Sequence, residues 1–286
     1  RPTHASSIEV PDDLEGLLPA EIERRAGVVP DPLEPNHGDL LESRKRAMDT
    51  SLADVDRIDA GLSAARDLCG MGLADVALEL LDQLKPLVIQ GSPRQADWEG
   101  HHTDALIAGG QLEAAQAALE GGGDGTTAWL VRRGQIALAE ENFSECVDML
   151  TEHAETPAIA HLLGRALMGS GEWEEAEVHL RVAAEKLNEP ASAAQAWADL
   201  GRVLSDLGHE DKAEAAREQA LTAGGEDPRL IARLEADRFE AASARLDLET
   251  AGRHLQLATQ KLLLCGDRGG AAKRLIQAGD LFMIRH

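Results

Sequence analysis

The chain has 286 residues, a net charge of −23 with histidine neutral, 2% aromatic residues and no tyrosine. Acidity of this size repels nucleic acid, whose phosphates call for Lys and Arg, and favours solubility. An all-β sandwich would need more aromatic and β-branched side chains, whereas the abundance of Ala, Leu, Glu and Arg is a helical composition.

Residues 1–40 hold six of the eleven prolines, namely Pro2, Pro11, Pro19, Pro30, Pro32 and Pro35. Pro30 and Pro32 force extended backbone, and only Leu14 to Arg25 could form a short helix. This segment reads as an acidic tail or linker. Its Ile8, Val10, Leu14, Leu17, Leu18 and Ile22 offer apolar contacts to a folded body. Residues 41–286 read as a helical repeat domain.

Helical patterning starts at Asp39. Thr50 or Ser51 can cap a helix, with Asp54 three residues after Ser51 in the manner of a capping box. Ala65, Leu68, the turn Gly70-Met71-Gly72, and then Ala77, Leu81 and Leu84 make a first helix pair, stopped by Pro86. The match is loose, because Gly61 sits where a large apolar residue is usual. Trp98, Thr103 and Leu106, the turn Gly109-Gly110, and Ala115 and Leu119 make a second pair. Residues 121–125 (Gly-Gly-Gly-Asp-Gly) precede a helix start, where free N–H groups can hold phosphate. The loop lacks the Gly-Lys-Ser/Thr ending, a preceding strand and a nearby lysine, so it reads as a connection between repeats.

Trp129, Gly134, Phe143, Cys146 and Leu150 mark a third pair, with Cys146 a small buried hydrophobe. The clearest stretch is 158–183. There Ala160, Leu163, Gly164 and Leu167 share one helical stripe, and Ala176, Leu180 and Ala183 share another. A Gly-Ser-Gly turn separates them. The next pair shows Trp197, Leu200, Gly201, Leu204, Gly208, Ala213, Ala220 and Pro228. A sixth carries Leu230, Leu234 and Phe239, then Ala251, Leu255 and Ala258, closed by a turn over 266–270. Leu275, Ala278, Gly279 and Phe282 repeat the first-helix stripe once more.

These residues resemble the tetratricopeptide repeat (TPR) family, most closely over 158–228. The equivalent positions Ala65, Thr103, Gly134, Gly164, Gly201, Phe239 and Gly279 are 30 to 40 residues apart, around the family's period of about 34. The resemblance implies an all-α fold. It would be a right-handed α-solenoid of about six TPR-like helix pairs plus a final unpaired helix, following the extended Pro-rich N-terminal segment. It also implies a concave face lined by the first helices of successive pairs. In the family, the residues one place after the small position and three before it face that groove. Carried over, these are Gln135, Arg165 and Arg202 in one ladder, and Val131, His161 and Ala198 in the other. Arg165 and Arg202, on neighbouring helices, read as a fork for the carboxylates of an acidic peptide or C-terminus, and equally as charges neutralised by glutamates of the chain itself. The subclass that clamps chaperone C-termini uses Lys and Asn there; here Ala or His and Arg or Gln stand in their places, so this chain departs from that pattern.

Other chemistry is sparse. Glu175 and His179 are four apart on one helix, the spacing of a metal pair and equally of an ion pair; no third ligand is in view. His101 and His102 are adjacent and point apart. Cys69, Cys146 and Cys265 have no CxxC pairing, which argues against a disulfide framework or zinc site and for a reducing, cytoplasmic compartment. No run reaches the ~20 apolar residues of a membrane span. No GxSxG, HExxH or nucleotide fingerprint is present. The expected function is therefore a non-enzymatic scaffold, without metal or cofactor, that binds a protein or peptide segment, acidic where the arginines meet it. The alternative is a regulatory or substrate-recruiting TPR segment of a larger enzyme or regulator, since the chain begins with Arg1 and its seventh unit is unfinished. Leu281, Phe282, Met283 and Ile284 are apolar where a terminal repeat is usually polar. The array is thus expected to continue or to be covered there, for instance by self-association through the C-terminal helix.

Overall fold

The computed structural model describes residues 38–120, 125–265 and 267–285. The proline-rich segment up to residue 37 and residues 121–124 of the glycine loop lie outside the described residues. So do the side chains of the last helix from residue 278 on, among them Ala278, Gly279, Phe282 and the apolar run after it. Among the described residues all longer elements are α-helices. They are α1 (Gly38–Met48), α2 (Asp54–Gly70), α3 (Ala74–Leu84), α4 (Pro93–Ala108), α5 (Leu112–Glu120), α6 (Thr127–Ala139) and α7 (Phe143–Leu150). There follow α8 (Pro157–Ser170), α9 (Trp173–Lys186), α10 (Pro190–Asp206), α11 (Glu210–Gly224), α12 (Pro228–Ala244), α13 (Leu248–Leu264) and α14 (Arg268–Arg285).

The helices form two compact units, divided between Gln111 and Leu112. In the first, α1 packs on α2, α2 on α3, and both α2 and α3 on α4. In the second, each helix from α5 to α14 packs on the next, and α6, α8, α10 and α12 also touch in succession. Five of the expected pairs lie within one unit: α2–α3, α6–α7, α8–α9, α10–α11 and α12–α13.

The pairing has a local cause repeated six times. A residue with left-handed backbone stands seven places after each small position: Gly72, Gly110, Glu141, Gly171, Gly208 and Leu246 follow Ala65, Thr103, Gly134, Gly164, Gly201 and Phe239. The residue after it donates its N–H five places back. These bonds are Leu73 to Leu68, Gln111 to Leu106, Asn142 to Ala137, Glu172 to Leu167, His209 to Leu204 and Asp247 to Ala242, all 2.7–3.0 Å. This is the Schellman turn, which satisfies carbonyls left open at a helix end. Within the units the second helix folds back on the first, as α3 does on α2, α7 on α6, α9 on α8, α11 on α10 and α13 on α12.

The small residues then decide how closely the two helices approach. A Cβ added to Gly164 would lie 2.6 Å from Leu180 Cγ, and one on Gly134 would lie 2.9 Å from Leu150 Cδ1. Both leucines stand four residues after the small residue of the second helix, Ala176 or Cys146. The stripe residues are buried as expected, including Leu163, Leu167, Leu180, Leu200, Leu204, Leu234 and Leu255. Proline opens α4, α8, α10 and α12, where the missing N–H costs no helical bond.

Four local expectations differ. The capping box at Ser51 is absent: Ser51 donates through N and Oγ to Asp49 Oδ1 at 2.9 and 2.6 Å, and α2 begins three residues later at Asp54. A short turn held by the Asp49 carboxylate competes with helix there. Gly61 is itself an approach point, since its Cβ would clash with Leu84 Cδ1; a large residue is excluded by α3 behind it. Gly269 and Gly270 belong to α14 rather than to a turn, because Asp267 Oδ1 accepts the Gly270 N–H at 2.8 Å and starts the helix. Leu275, the described member of the last first-helix stripe, is 60% exposed.

Glu141 and Leu246 hold the left-handed position without being glycine, at φ of 59° and 60°. An L-residue there costs roughly 1–2 kcal/mol, and Leu246 is 78% exposed with little packing to lose. Leu246→Gly is therefore expected to stabilise the second unit by about 0.5–1 kcal/mol, seen as a higher denaturation midpoint. Gly208→Ala should move the midpoint the other way.

Candidate functional site

The ladder residues fall into two groups. Arg165 on α8 and Arg202 on α10 are exposed, and Gln135 on α6 and Val131 are half-buried. His161 and Ala198 are buried. The +1 ladder continues on α12 as Glu240, whose Oε2 stands 3.8 Å from Arg202 Nη2. Both arginines have acidic neighbours: Arg165 acts on the buried Asp199, and Arg202 on the buried Asp237.

Three successive first helices are tied by one buried carboxylate. Asp199 on α10, 3% exposed, meets His161 Nε2 of α8 at 2.7 Å through Oδ2, and accepts from Arg233 Nη2 of α12 through Oδ1. Burial alone would raise its pKa. The Arg233 charge, the His161 bond and the Arg165 charge outweigh that and hold it down at about 2. Asp237 occupies the same register one repeat later and behaves in the opposite way. Burial raises it to about 6, against the pull of Arg233, Arg202 and Arg217 and with a push from Glu240. Its Oδ2 is buried without a hydrogen-bond partner.

A second polar cluster links α11, α12 and α13. Arg217 on α11 is 0% exposed. Its Nη1 donates to Glu210 Oε1 at 3.0 Å and to Glu214 Oε2 at 3.2 Å. Its Nε and Nη2 have no partner. Glu214 also accepts from Arg238 of α12, which bonds Glu235 Oε1 at 2.5 Å; Glu235 Oε2 in turn meets His254 Nδ1 of α13 at 2.7 Å. Arg217 stands four places after the small residue Ala213. The equivalent positions hold Leu81, Leu119, Leu150, Leu180 and Leu255, all buried. The Arg217 stem takes the leucine's seat, with its Cγ 3.2 Å from where a Gly201 Cβ would lie, and carries a charge into the core.

Beside it lies a cavity of about 260 Å³ between α10, α11 and α12, lined among others by Arg202, Glu210, Arg217, Asp237, Ala244 and Arg245. Ion pairs Arg202–Glu240 and Arg245–Glu210, at 3.8 and 3.6 Å and between half-exposed groups, also border it. Sequence reasoning named Arg202 alone from this set. Arg217 was detectable as a charge in the stripe Ala213, Ala216, Ala220, and Asp199 and Asp237 as acids among the apolar positions of α10 and α12.

The other candidates separate. His102 stacks on Trp98 with ring centroids 4.7 Å apart, while His101 Nε2 lies 3.3 Å from Arg66 Nη2. Burial lowers His179, with Glu175 opposing it. Cys146 is fully buried and its thiol is pushed up to about 11, chiefly by burial, which suits packing and not nucleophilic chemistry. Among the described residues no three His, Cys, Asp or Glu side chains gather as a metal site would, and no helix is long and apolar enough to cross a membrane. The chain matches no family model, and no curated protein matches it.

The two acids predict opposite responses. Asp199 is held below its ordinary value of 3.8, so its contribution is complete above about pH 4 and is lost as pH falls toward 2. Asp199→Asn should cost about 2 kcal/mol or more at pH 7, with Arg233 left short of its counter-charge. Asp237 is raised, so its neutral form stabilises below about pH 4 and that contribution is lost as pH rises through 6. Asp237→Asn should therefore stabilise the fold by about 2 kcal/mol at pH 8 and flatten the stability profile between pH 4 and 6. Urea denaturation of both variants across pH 3–8 measures this.

Proposed function

We propose that the protein is a non-enzymatic interaction scaffold of the TPR type, a right-handed superhelix of helix pairs that receives a partner segment along its first helices. The reading rests on one observation above others. Arg165 and Arg202 occupy the same register on the touching helices α8 and α10 and are exposed, while their small neighbours Gly164 and Gly201 are buried. Regular placement of a charged, accessible side chain on a rigid backbone suits recognition of an extended segment. Two arginine forks on such a wall favour carboxylates.

The acidic neighbours shape what is bound. Glu240 competes for Arg202 across 3.8 Å. Such an exposed pair contributes little, about 0–1 kcal/mol, so an incoming carboxylate can displace it. The chain's net charge of −23 repels uniformly acidic polymers, so the partner carries an acidic residue or two within an otherwise apolar segment. Affinity then comes from a few buried anchors rather than from total contact area.

Selection of peptides from a random displayed library by the full chain tests this. The wild-type protein should enrich sequences with isolated Asp or Glu beside apolar residues. An Arg165→Glu/Arg202→Glu variant with unchanged helicity should bind those peptides at least tenfold more weakly. Equal binding by the double variant would remove the groove assignment.

A further inference from the structure

The exposed apolar side chains gather toward one part of the second unit. Half of the large ones among the described residues, namely Leu257, Leu263, Leu264, Leu275 and Ile276, stand on α13 and α14. The charge of this stretch is reversed as well. Between residues 257 and 277 Lys261, Arg268, Lys273 and Arg274 stand against Asp267 alone, in a chain with 51 acidic and 28 basic residues. Asp267 is also engaged, because its carboxylate accepts the Gly270 N–H. Apolar surface that collects in one place marks a contact site, and this one is cationic.

Register says what shape belongs there. In the five helix pairs that lie within one unit, the residue four before the small position is covered: Gly61, Leu130, Ala160 and Glu235 are buried and Trp197 is half-buried. In three of them the pair's own second helix supplies the cover. A Cβ on Gly61 would strike Leu84 of α3, Ala160 clusters with Ala183 and Ala184 of α9, and Glu235 meets His254 of α13. Leu84 and Ala183 each stand seven places after a small residue, Ala77 and Ala176. Leu275 holds the same position on α14, four before Gly279, and is 60% exposed. Ile276 beside it is 68% exposed. Lys273, three places before Ile276 and so on its side of the helix, is exposed too. The surface that a second helix covers elsewhere is therefore bare on α14, apolar and bordered by positive charge.

We propose that α14 receives an acidic amphipathic helix of a partner protein, laid back along α14 as α9 lies on α8. The seat dictates the partner's apolar face. It carries a small residue, a leucine four places on and a small or aliphatic residue seven places on, as Ala77, Leu81 and Leu84 do on α3 and Ala176, Leu180 and Ala183 on α9. The last of the three covers Leu275. Its flanks carry Glu or Asp, which Lys273 attracts and which the acidic remainder of the chain repels from other faces. Reading a helix through residues one and two turns apart is an established mode of recognition. A second copy of this chain fits less well, since two such ends would bring like charges together. An anionic membrane surface would meet the same cations but would not use the helix seat around Leu275. The site is separate from the arginine groove, whose Arg165 and Arg202 stand on α8 and α10.

The experiment is a fluorescence-anisotropy titration of the full chain against labelled peptides of roughly 18 residues, long enough to form helix. One peptide carries the Ala-x3-Leu-x2-Leu face with Glu on its flanks. A second has the same face with Lys on the flanks, and a third scrambles the order of the first. The acidic peptide should bind saturably, the Lys peptide at least tenfold more weakly and the scrambled one not at all. Leu275→Asp, at an exposed position and with helical content unchanged, should weaken the acidic peptide at least tenfold. Lys273→Glu should weaken it severalfold and strengthen the Lys peptide. Absence of saturable binding by the acidic peptide, equal binding of the Lys peptide or undiminished binding by Leu275→Asp would each overturn the proposal. So would a dimer in sedimentation that Leu275→Asp dissociates, which assigns the face to a second copy, or binding to phosphatidylserine vesicles that Leu275→Asp abolishes, which assigns it to a membrane. The Arg165→Glu/Arg202→Glu variant should bind the acidic peptide normally, so failure here and failure of the groove are separable; loss of binding in that variant would place the peptide in the groove and overturn the α14 site.

Discussion

The architecture depends on one contact, repeated: a small residue on one helix meets the residue four places after the small residue of the next. Gly164 meets Leu180 and Gly134 meets Leu150, each so closely that a Cβ would have to push the leucine aside. A Schellman turn closes the first helix seven residues on. Turn and contact support each other, because the turn sets which face returns and the missing side chain lets it come close. Packing of this density makes the register hard to shift, since any slide would force a large side chain into the glycine's place.

With that register set, the remaining positions have determined directions. The residue after the small one points to solvent, as Arg165, Arg202 and Glu240 do. Two residues before the small position, α10 and α12 carry the buried acids Asp199 and Asp237. Asp199 joins α8, α10 and α12 through His161 and Arg233. Glu214 and Glu235 join α11, α12 and α13 through Arg217, Arg238 and His254. These ionic contacts add to the apolar ones between adjacent pairs, such as Ala160, Ala183, Ala184 and Ala196 between α8, α9 and α10. Ionic contacts add less net stability than apolar packing but penalise a missing partner heavily.

Asp199 and Asp237 show how the same register yields two chemistries. Asp199 is met on both oxygens and stays ionised; Asp237 has an oxygen without a donor and holds its proton more readily. The difference follows from what the flanking helices supply. His161 of α8 reaches Asp199, whereas the equivalent position on α10 is Ala198, which has no side-chain donor to offer Asp237.

The helical class, the helix pairs and the turns between them were legible in the sequence, because period, small residues and glycine are local properties that survive without a partner helix. Leu246 and Glu141 show the limit, as left-handed residues that only the spacing from Phe239 and Gly134 betrays. The exposed arginines were legible for the same reason, being one step from a recognised position. The burial of His161, the carboxylate it shares with Arg233, the Gly61 approach and the cavity were not. The first three are relations between residues 23 to 38 apart in the chain, the cavity gathers side chains from three helices, and the side chain that completes each is chosen by geometry, not by sequence spacing. By itself the sequence determined where most of the helices turn and which small residues meet the next helix. Only the tertiary structure decided which charges face one another and which are left without a partner, because desolvation and pairing act on distances that exist once the helices have packed.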